Sequence, residues 1–142
     1  MADALVITTE AASPQTDVDF VRDMLFRFNT AASQEDRHTL LNVFARDTDG
    51  KVHAGLLGGT YWGWLHVDIL WVQSDLRSKG LGSRLLEAAE AEAIARGCRH
   101  AHLDTLDFQA PGFYLKRGYQ VFGELQDLPP GHRRIFLKKE LV

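Results

Sequence analysis

The sequence predicts an α/β (α+β) fold, with a mixed central β-sheet of about six to seven strands flanked by helices. One observation is the segment WVQSDLRSKGLGSRLLEAAEAEAIARG at 71–97, which passes from an apolar strand end through a Gly-rich turn into an amphipathic helix. Another is that apolar segments of strand length precede and follow this helix. Strand, helix and strand in this order normally give two parallel strands joined by a right-handed crossover.

Length and composition are those of an ordinary globular protein. The 142 residues, 45% hydrophobic and 25% charged, predict one domain over residues 1–142. A formal net charge of −3 argues against nucleic-acid binding. No apolar run reaches the roughly 20 residues of a membrane span, and the N-terminus lacks the basic start of a signal peptide. Cys98 is the single cysteine, so no internal disulfide can form. We therefore expect a cytoplasmic protein with no membrane or nucleic-acid partner.

The N-terminal part predicts a short strand and then a helix. Residues 5–9 read as the strand. Thr16 and Asp19 resemble a capping box, and apolar residues follow at helical spacing, so we expect a helix over about 16–31. The polar segment 29–37 predicts a loop.

A β-hairpin and an interior strand are predicted next. TLLNVFARD and KVHAGLLGGTYW flank the turn signal DTDG at 47–50, and the apolar segment WLHVDILWVQ leads into the Gly-rich turn. The helix after that turn has one apolar stripe and ends at Gly97, a residue suited to the left-handed conformation at a helix C-terminus. The stripe consists of Leu81, Leu85, Leu86, Ala89, Ala93 and Ile94.

The C-terminal part predicts three strands and a short helix. CRHAHLDTL reads as the strand that follows the long helix, and a short helix is expected over 109–116. Two strands are expected over 119–124 and 134–141. The connection between them, LQDLPPGHR, is rich in Pro and Gly and could fold over a pocket.

The Gly-rich turn predicts an anion site. A helix start carries unpaired N–H groups and a partial positive charge, and glycines let a ligand approach the backbone. Here the glycines are Gly80 and Gly82, and Arg77, Lys79 and Arg84 add positive charge. Neither the Walker pattern nor the dinucleotide fingerprint fits, since the turn has no Gly-Lys-Ser/Thr and the position three after Gly82 is Leu85. The alternative interpretation is an ordinary surface turn.

Two motifs together resemble the GNAT superfamily of N-acyltransferases. One is R-x-x-G-x-G in RSKGLG, and the other is PGFYLKRGYQVF, a short helix ended by Gly118 and followed by a strand. Their order and spacing match the family over most of the chain, including the element order β, α, β, β, β, α, β, α, β, β. The segments GCRHAHLDT, FQAPGFY, RGYQVFG and PPGH are similar to a bacterial subgroup whose substrates are often unassigned.

The resemblance implies an acetyl-CoA site where two parallel strands splay apart. The backbone of Leu70, Trp71 and Val72 would pair with the pantetheine arm, and the strands would separate near Val72 and Leu106. Amides of the Gly-rich turn would hold the pyrophosphate. The implied binding residues of that turn are Arg77, Ser78, Lys79, Gly80, Leu81, Gly82 and Ser83. Family members often carry Asn seven residues before the motif tyrosine, to bond the cofactor arm, but this chain has Asp107, which has no amide to donate.

Catalytic residues follow partly from the resemblance and partly from strand geometry. The resemblance places Tyr114 at the family's general-acid position, where it would donate a hydrogen bond to the departing thiolate. A backbone N–H near residues 70–72 would hold the oxyanion. Strand alternation predicts His66, Asp68 and Leu70 on one face, so His66 or Asp68 could take the amine proton directly or through water. Proton loss to solvent, and structural roles for these side chains, are the alternatives.

Two further clusters of side chains are candidate sites. Cys98, His100 and His102 alternate along one strand, but side chains on one strand face point in parallel, so we expect no metal site. The aromatic residues of YWGW at 61–64 either line an amine pocket through cation–π contacts or pack at the hairpin.

The resemblance implies an acyl-CoA-dependent N-acetyltransferase that moves an acetyl group from acetyl-CoA to an amine by direct attack in a ternary complex. The acceptor could be a small-molecule amine or a protein amino group, and a homodimer is possible. One alternative is a non-catalytic acyl-CoA-binding or sensing module, for which Asp107 is a hint. Another is a phosphate-binding domain unrelated to CoA.

Overall fold

The computed structural model describes residues 4–33 and 38–142 of the chain. The chain forms two compact units, Met1–Asp36 and Arg37–Val142. The first unit contains helix α1 (Gln15–Ala32). The second unit contains, in chain order, β1 (Thr39–Arg46), β2 (Val52–Tyr61), β3 (Trp64–Val72), α2 (Leu81–Ala95), β4 (His100–Leu106), α3 (Pro111–Leu115), β5 (Gln120–Gln126) and β6 (Arg133–Glu140). No helix of the described ranges is long and apolar enough to cross a membrane.

The first unit confirms the predicted helix and corrects its surroundings. Residues 5–9 form no strand, so that prediction is wrong; a strand needs a hydrogen-bonded neighbour, and β-propensity alone does not supply one. Helix α1 also extends into segment 29–37, which was predicted as a loop. Residues 34–37 of that segment lie outside the described residues.

The start of α1 differs from the predicted capping box. Pro14 precedes the first helical residue, and no side chain caps the helix. Thr16 therefore lies inside the helix, and the Asp19 carboxylate accepts a hydrogen bond from the side chain of Gln15 at 2.9 Å. The Pro14 carbonyl accepts hydrogen bonds from the backbone N–H groups of Asp17 at 3.0 Å and Val18 at 3.3 Å, so the helical hydrogen bonding begins at Pro14.

The six strands form one mixed sheet in the order β1-β2-β3-β4-β6-β5. All neighbouring pairs are antiparallel except β3 and β4, which confirms the predicted parallel crossover through α2. The parallel ladder is short, because residues 64–67 pair with 100–103 and the pairing stops there. Beyond it β3 remains bonded only to β2 and β4 only to β6. The two strands thus part at their C-terminal ends.

Helix α2 packs on one face of this sheet. Its buried residues are Leu85, Leu86, Ala89 and Ala93, as the apolar stripe predicts. Ile94 is 41% exposed, because it lies about 100° around the helix from Ala93. Its inclusion in the stripe was wrong. The fully buried side chains of largest volume are Leu56, Leu65, Leu86, Leu103 and Leu137.

The predicted hairpin turn, the end of α2 and the order of the C-terminal elements are confirmed. The Asp47 carboxylate accepts hydrogen bonds from the backbone N–H groups of Asp49 at 2.9 Å and Lys51 at 3.0 Å, which closes the hairpin turn. Gly97 follows α2 with φ +91°. The C-terminal helix and strands occur in the predicted order, with bounds shifted by a few residues.

A β-bulge interrupts β3. Leu57 of β2 lies opposite Ile69, but the next β2 residue, Gly58, lies opposite Val67. Asp68 is therefore an extra residue without its own partner. A bulge reverses the inward and outward alternation beyond it.

Candidate active site

A cleft of about 670 Å³ opens where β3 and β4 part. Its walls are the end of β3, the Gly-rich turn with the start of α2, and the segment from the end of β4 through α3. The sequence-predicted residues that line it are Asp68, Leu70, Trp71, Val72, Arg77, Ser78, Gly80, Leu81, Gly82, Ser83 and Tyr114. Lys79 and His66 do not line it.

The bulge separates His66 from the cleft. Leu65 and Val67 are buried in the core before the bulge, whereas Leu70 packs against the core after it. The prediction that His66, Asp68 and Leu70 share one face is therefore wrong. His66 instead stacks on His102, with ring centroids 4.6 Å apart.

The Gly-rich turn brings backbone amides to the cleft. Gly80 is the residue before α2, with φ +81°, and among the described residues no side chain caps the helix start. Gly82 lies in the first turn, where an added Cβ would touch the Phe113 ring at 3.5 Å and Val72 Cγ2 at 3.7 Å. A side chain at that position would occupy the floor of the cleft. The free N–H groups of a helix start, beside glycines that have no side chain to block them, suit an anionic ligand.

Two arginines contribute positive charge to the cleft walls. Arg77 Nε donates to the carbonyl oxygen of Val72 at 3.0 Å and so fixes the end of β3. Arg117 donates through Nε to Ser83 Oγ at 3.1 Å and through Nη1 to the Phe113 carbonyl at 2.9 Å. Its guanidinium lies 3.8 Å from the centroid of the Phe113 ring. Sequence reasoning missed Arg117, which lies in the turn after α3, four residues after Phe113.

Tyr114 is 7% exposed and lines the cleft. Its ring makes edge contacts with Phe113 at 5.1 Å and Tyr119 at 5.8 Å between centroids. Burial raises the pKa of the Tyr114 phenol to about 12. The hydroxyl therefore keeps its proton near neutral pH and can donate a hydrogen bond into the cleft.

Two carboxylates line the cleft near the end of the parallel ladder. Asp68, the bulged residue, is exposed, and its side chain has no hydrogen bond or ion pair to any other residue in the described part of the chain. Asp104 accepts a hydrogen bond from Arg134 Nη1 at 2.9 Å. Asp68 is thus the carboxylate that is available to an incoming cation.

Asp107 does not line the cleft. Its carboxylate faces His132 Nδ1 at 2.9 Å and the backbone N–H of Arg133 at 3.1 Å. An aspartate here has no amide to donate to a cofactor arm, and its carboxylate is hydrogen-bonded to the residues just before and at the start of β6.

The two other predicted clusters lie away from the cleft lining. Cys98 is buried before the start of β4, and His100 stacks on Trp64 with ring centroids 4.6 Å apart. The Tyr61 hydroxyl lies 2.9 Å from His102 Nε2. Within residues 4–33 and 38–142, no group of three or more His, Cys, Asp or Glu side chains is placed to hold a metal ion.

A family model, related sequences and a solved structure that resemble this chain are all acetyltransferases. Residues 6–119 match the model of the acetyltransferase (GNAT) family, and this segment contains every residue that lines the cleft. The chain is similar to blasticidin-S acetyltransferase of Streptomyces morookaense, with 48% identity over 100 residues that cover 70% of this chain and 74% of the relative. It is also 37% identical to acetyltransferase Atu2258 of Agrobacterium fabrum over 119 residues, 84% of this chain and 87% of the relative. A crystal structure of an acetyltransferase from Bacillus cereus superposes with a TM-score of 0.83 and 30% identity, covering 94% of this chain and 97% of that one.

Proposed function

Because this chain belongs to the acetyltransferase (GNAT) family and is an acetyl-CoA-dependent N-acetyltransferase, we propose that its acceptor is a small-molecule amine, acetylated by direct attack in a ternary complex. The observation that carries the amine acceptor is the Asp68 carboxylate, which has no partner among the described residues and lies where the parallel ladder ends. The likeness to an enzyme named for a small molecule, blasticidin-S, supports the same acceptor class.

The cleft fits acetyl-CoA in size and chemistry. Its volume of about 670 Å³ lies within the range of roughly 300–1,000 Å³ for ligand pockets. The end of β3 has no partner on the β4 side, so its backbone can pair with an extended amide-containing arm. The uncapped start of α2, with Arg77 and Arg117 on the walls, suits a pyrophosphate. When bound, acetyl-CoA supplies the acetyl thioester.

Three groups of this chain would act on the reacting atoms. Asp68 would attract the acceptor amine and take a proton from its nitrogen as that nitrogen bonds to the acetyl carbon, which makes the N–H acidic. A backbone N–H near the bulge would hold the acetyl oxygen as it gains charge. Tyr114 would donate a hydrogen bond to the departing sulfur.

The raised pKa of Tyr114 defines its role as a donor. Full proton transfer from a phenol of pKa about 12 to a thiolate of ordinary pKa about 8.5 is uphill by roughly 5 kcal/mol. Hydrogen-bond donation avoids that cost and still stabilises the developing negative charge. The proton that finally reaches the thiolate would then come from solvent.

The experiment is release of free CoA from acetyl-CoA, measured with spermidine, 2-phenylethylamine and a lysine-containing peptide. We expect turnover with at least one small amine and a loss of about 100-fold in Asp68→Asn. The matched control is Asp49→Asn, an exposed aspartate on the hairpin turn away from the cleft lining, which should keep full activity. A preference for the peptide over both amines would contradict the proposed acceptor class.

The proposal includes a cytoplasmic location. Cys98 is unpaired and buried, as expected for a protein of a reducing compartment.

A further inference from the structure

The loop between β5 and β6, residues 127–132, is tied to the turn that follows β4. His132 Nδ1 lies 2.9 Å from the carboxylate of Asp107, and the backbone N–H of Arg133 donates to the same carboxylate at 3.1 Å. The backbone N–H of Asp107 also donates to the Arg133 carbonyl at 3.0 Å. Three hydrogen bonds thus join the two segments at one residue.

The loop holds His132 in place through its own backbone. The N–H of His132 donates to the Pro129 carbonyl at 2.9 Å, and the His132 carbonyl accepts from the N–H of Leu128 at 3.3 Å. The Asp127 carboxylate accepts from the N–H of Gly131 at 3.3 Å. His132 is therefore presented to Asp107 by a closed turn.

Phe108 is the cleft residue that contacts the bonded pair Asp107 and His132. Its side chain is 57% exposed and lines the cleft, and its ring meets the His132 ring edge to face at 4.8 Å between centroids. The neighbouring backbone is fixed separately, because Gln109 Oε1 accepts from the N–H of Leu106 at 2.8 Å and from the Thr105 hydroxyl at 3.1 Å. The ring of His132 thus packs against the large exposed ring of Phe108.

We propose that Asp107 and His132 form a clasp that holds the Phe108 ring at the β4 side of the cleft, and that both are positioning residues for the acceptor amine. The inference rests on the proposed acetyl transfer to a small amine. Phe108 follows β4, whereas the Gly-rich turn that suits the pyrophosphate follows β3. The ring therefore lies on a different wall of the cleft from that turn, and the acceptor amine would bind beside it.

The clasp explains why an aspartate stands at position 107. Both of its oxygens accept a hydrogen bond, one from His132 and one from the backbone of Arg133. An asparagine would point its NH₂ group at one of these donors and lose that bond. Burial by itself raises the pKa of Asp107, but the hydrogen bonds from His132 and Arg133 outweigh it and leave the pKa below its usual range. The carboxylate is therefore ionised at neutral pH and accepts both bonds.

The test compares variants that remove single parts of the clasp. Asp107→Asn removes one acceptor, His132→Phe keeps a ring beside Phe108 but loses the donor, and His132→Asn keeps a donor but loses the ring. Each is measured with 2-phenylethylamine for KM and kcat, with acetyl-CoA for Kd, and by amide hydrogen exchange at residues 127–132. Asp47→Asn is the matched control, because Asp47 forms another Asp–His pair, with His53 at 2.8 Å, on the hairpin turn.

We expect all three clasp variants to raise the KM for 2-phenylethylamine by roughly fivefold to tenfold, the equivalent of one hydrogen bond. The kcat and the acetyl-CoA Kd should stay within about twofold, and exchange at 127–132 should become faster in Asp107→Asn. In a Phe108→Leu background, Asp107→Asn should raise the KM no further, since both act through the same ring. Asp47→Asn should change none of these values.

Two results would overturn the clasp. One is an unchanged KM together with unchanged exchange in Asp107→Asn. The other is a full effect of Asp107→Asn in the Phe108→Leu background, which would mean that Asp107 does not act through Phe108. If the wild-type protein binds acetyl-CoA but releases no CoA with any small amine, the proposed acceptor class fails. In that case amide hydrogen exchange at residues 127–132 tests the clasp by itself. Equal exchange rates in the wild type and Asp107→Asn would contradict it.

Discussion

Val67 pairs with Leu103 at the last rung of the parallel ladder between β3 and β4. The next residue of β3 is the bulged Asp68, and beyond it β2 is the only strand that pairs with β3 in the described part of the chain. The cleft is therefore a consequence of where one ladder stops. The same point supplies a free strand edge for an extended ligand and an unpaired carboxylate beside it.

Removing the Tyr114 hydroxyl should lower turnover without weakening cofactor binding. We expect Tyr114→Phe to reduce the rate of CoA release by about 10- to 100-fold, because the variant loses a hydrogen bond to developing charge. Calorimetry should give an acetyl-CoA Kd within about twofold of the wild type, since the ring and its contacts with Phe113 and Tyr119 are retained. Unchanged turnover would exclude Tyr114 from the chemistry.

The pH profile provides a second test of Tyr114. Because burial raises its pKa to about 12, the phenol stays protonated at all pH values at which the enzyme is assayed. We expect the wild type and Tyr114→Phe to have pH–rate profiles of the same shape at different heights. An alkaline decline present only in the wild type would contradict this assignment.

The charge of Arg117 should contribute to cofactor affinity. We expect Arg117→Ala to weaken acetyl-CoA binding by about tenfold, because the guanidinium lies on the cleft wall and has N–H groups beyond those bonded to Ser83 and Phe113. Arg84→Ala is the matched control, since Arg84 is exposed on α2 and does not line the cleft. Calorimetric titration of both variants measures the difference, and equal affinities would remove Arg117 from the binding site.

His53 should make stability depend on pH. Its Nε2 faces Asp47 Oδ2 at 2.8 Å and its Nδ1 faces Gln73 Oε1 at 2.7 Å, while Gln73 Nε2 donates to Asp75 at 2.7 Å. Both ring nitrogens of His53 therefore face acceptors, and both bonds form only with the imidazolium. The bond to Asp47, with a smaller effect of Gln73, raises the pKa of His53 above 6.5.

The sign of this dependence follows from the raised pKa. The contribution of His53 is fully present below its unfolded-state pKa of about 6.5 and is lost as the pH rises through the folded-state value. Unfolding experiments on the wild type and His53→Gln should show a stability difference near pH 6 that shrinks toward pH 8.5. A difference of the same size at both pH values would contradict the doubly bonded imidazolium.

Much of the architecture follows from local chemistry that a sequence displays. The apolar stripe of α2, the carboxylate of Asp47 in the hairpin turn and the glycine after α2 each depend on near neighbours in the chain. The paired motifs locate the cleft because they fix the residues on both sides of the parting strands.

The wrong predictions concern features that depend on residues far apart in the sequence. The bulge at Asp68 depends on the register with β2, so the sequence alternation that grouped His66 with Asp68 had no means of detecting it. The strand predicted at 5–9 requires a pairing partner that no local pattern reveals. The commitment of Asp107 to His132 depends on where a loop folds back, which is likewise a tertiary property.

Alanine substitutions at Gly80 and at Gly50 should lower the free energy of unfolding by the same amount. Both have positive φ, +81° and +84°, and a Cβ added to either meets no heavy atom within 4 Å among the described residues other than its chain neighbours. Alanine at each position should therefore cost about 1–2 kcal/mol of unfolding free energy through backbone strain alone. Chemical denaturation measures both, and a much larger loss at Gly80 would show that its role in folding exceeds this strain.

These two glycine variants also give the most direct test of the acetyl-CoA site. The measurement is a calorimetric titration of the wild type, Gly80→Ala and Gly50→Ala with acetyl-CoA, with ADP as the comparison ligand. We expect saturable binding that favours acetyl-CoA over ADP, weakened about tenfold or more in Gly80→Ala, whose turn holds the helix-start amides, and unchanged in Gly50→Ala. Equal affinities in the two folded variants, or no binding by the folded wild-type protein, would contradict the assignment of this cleft.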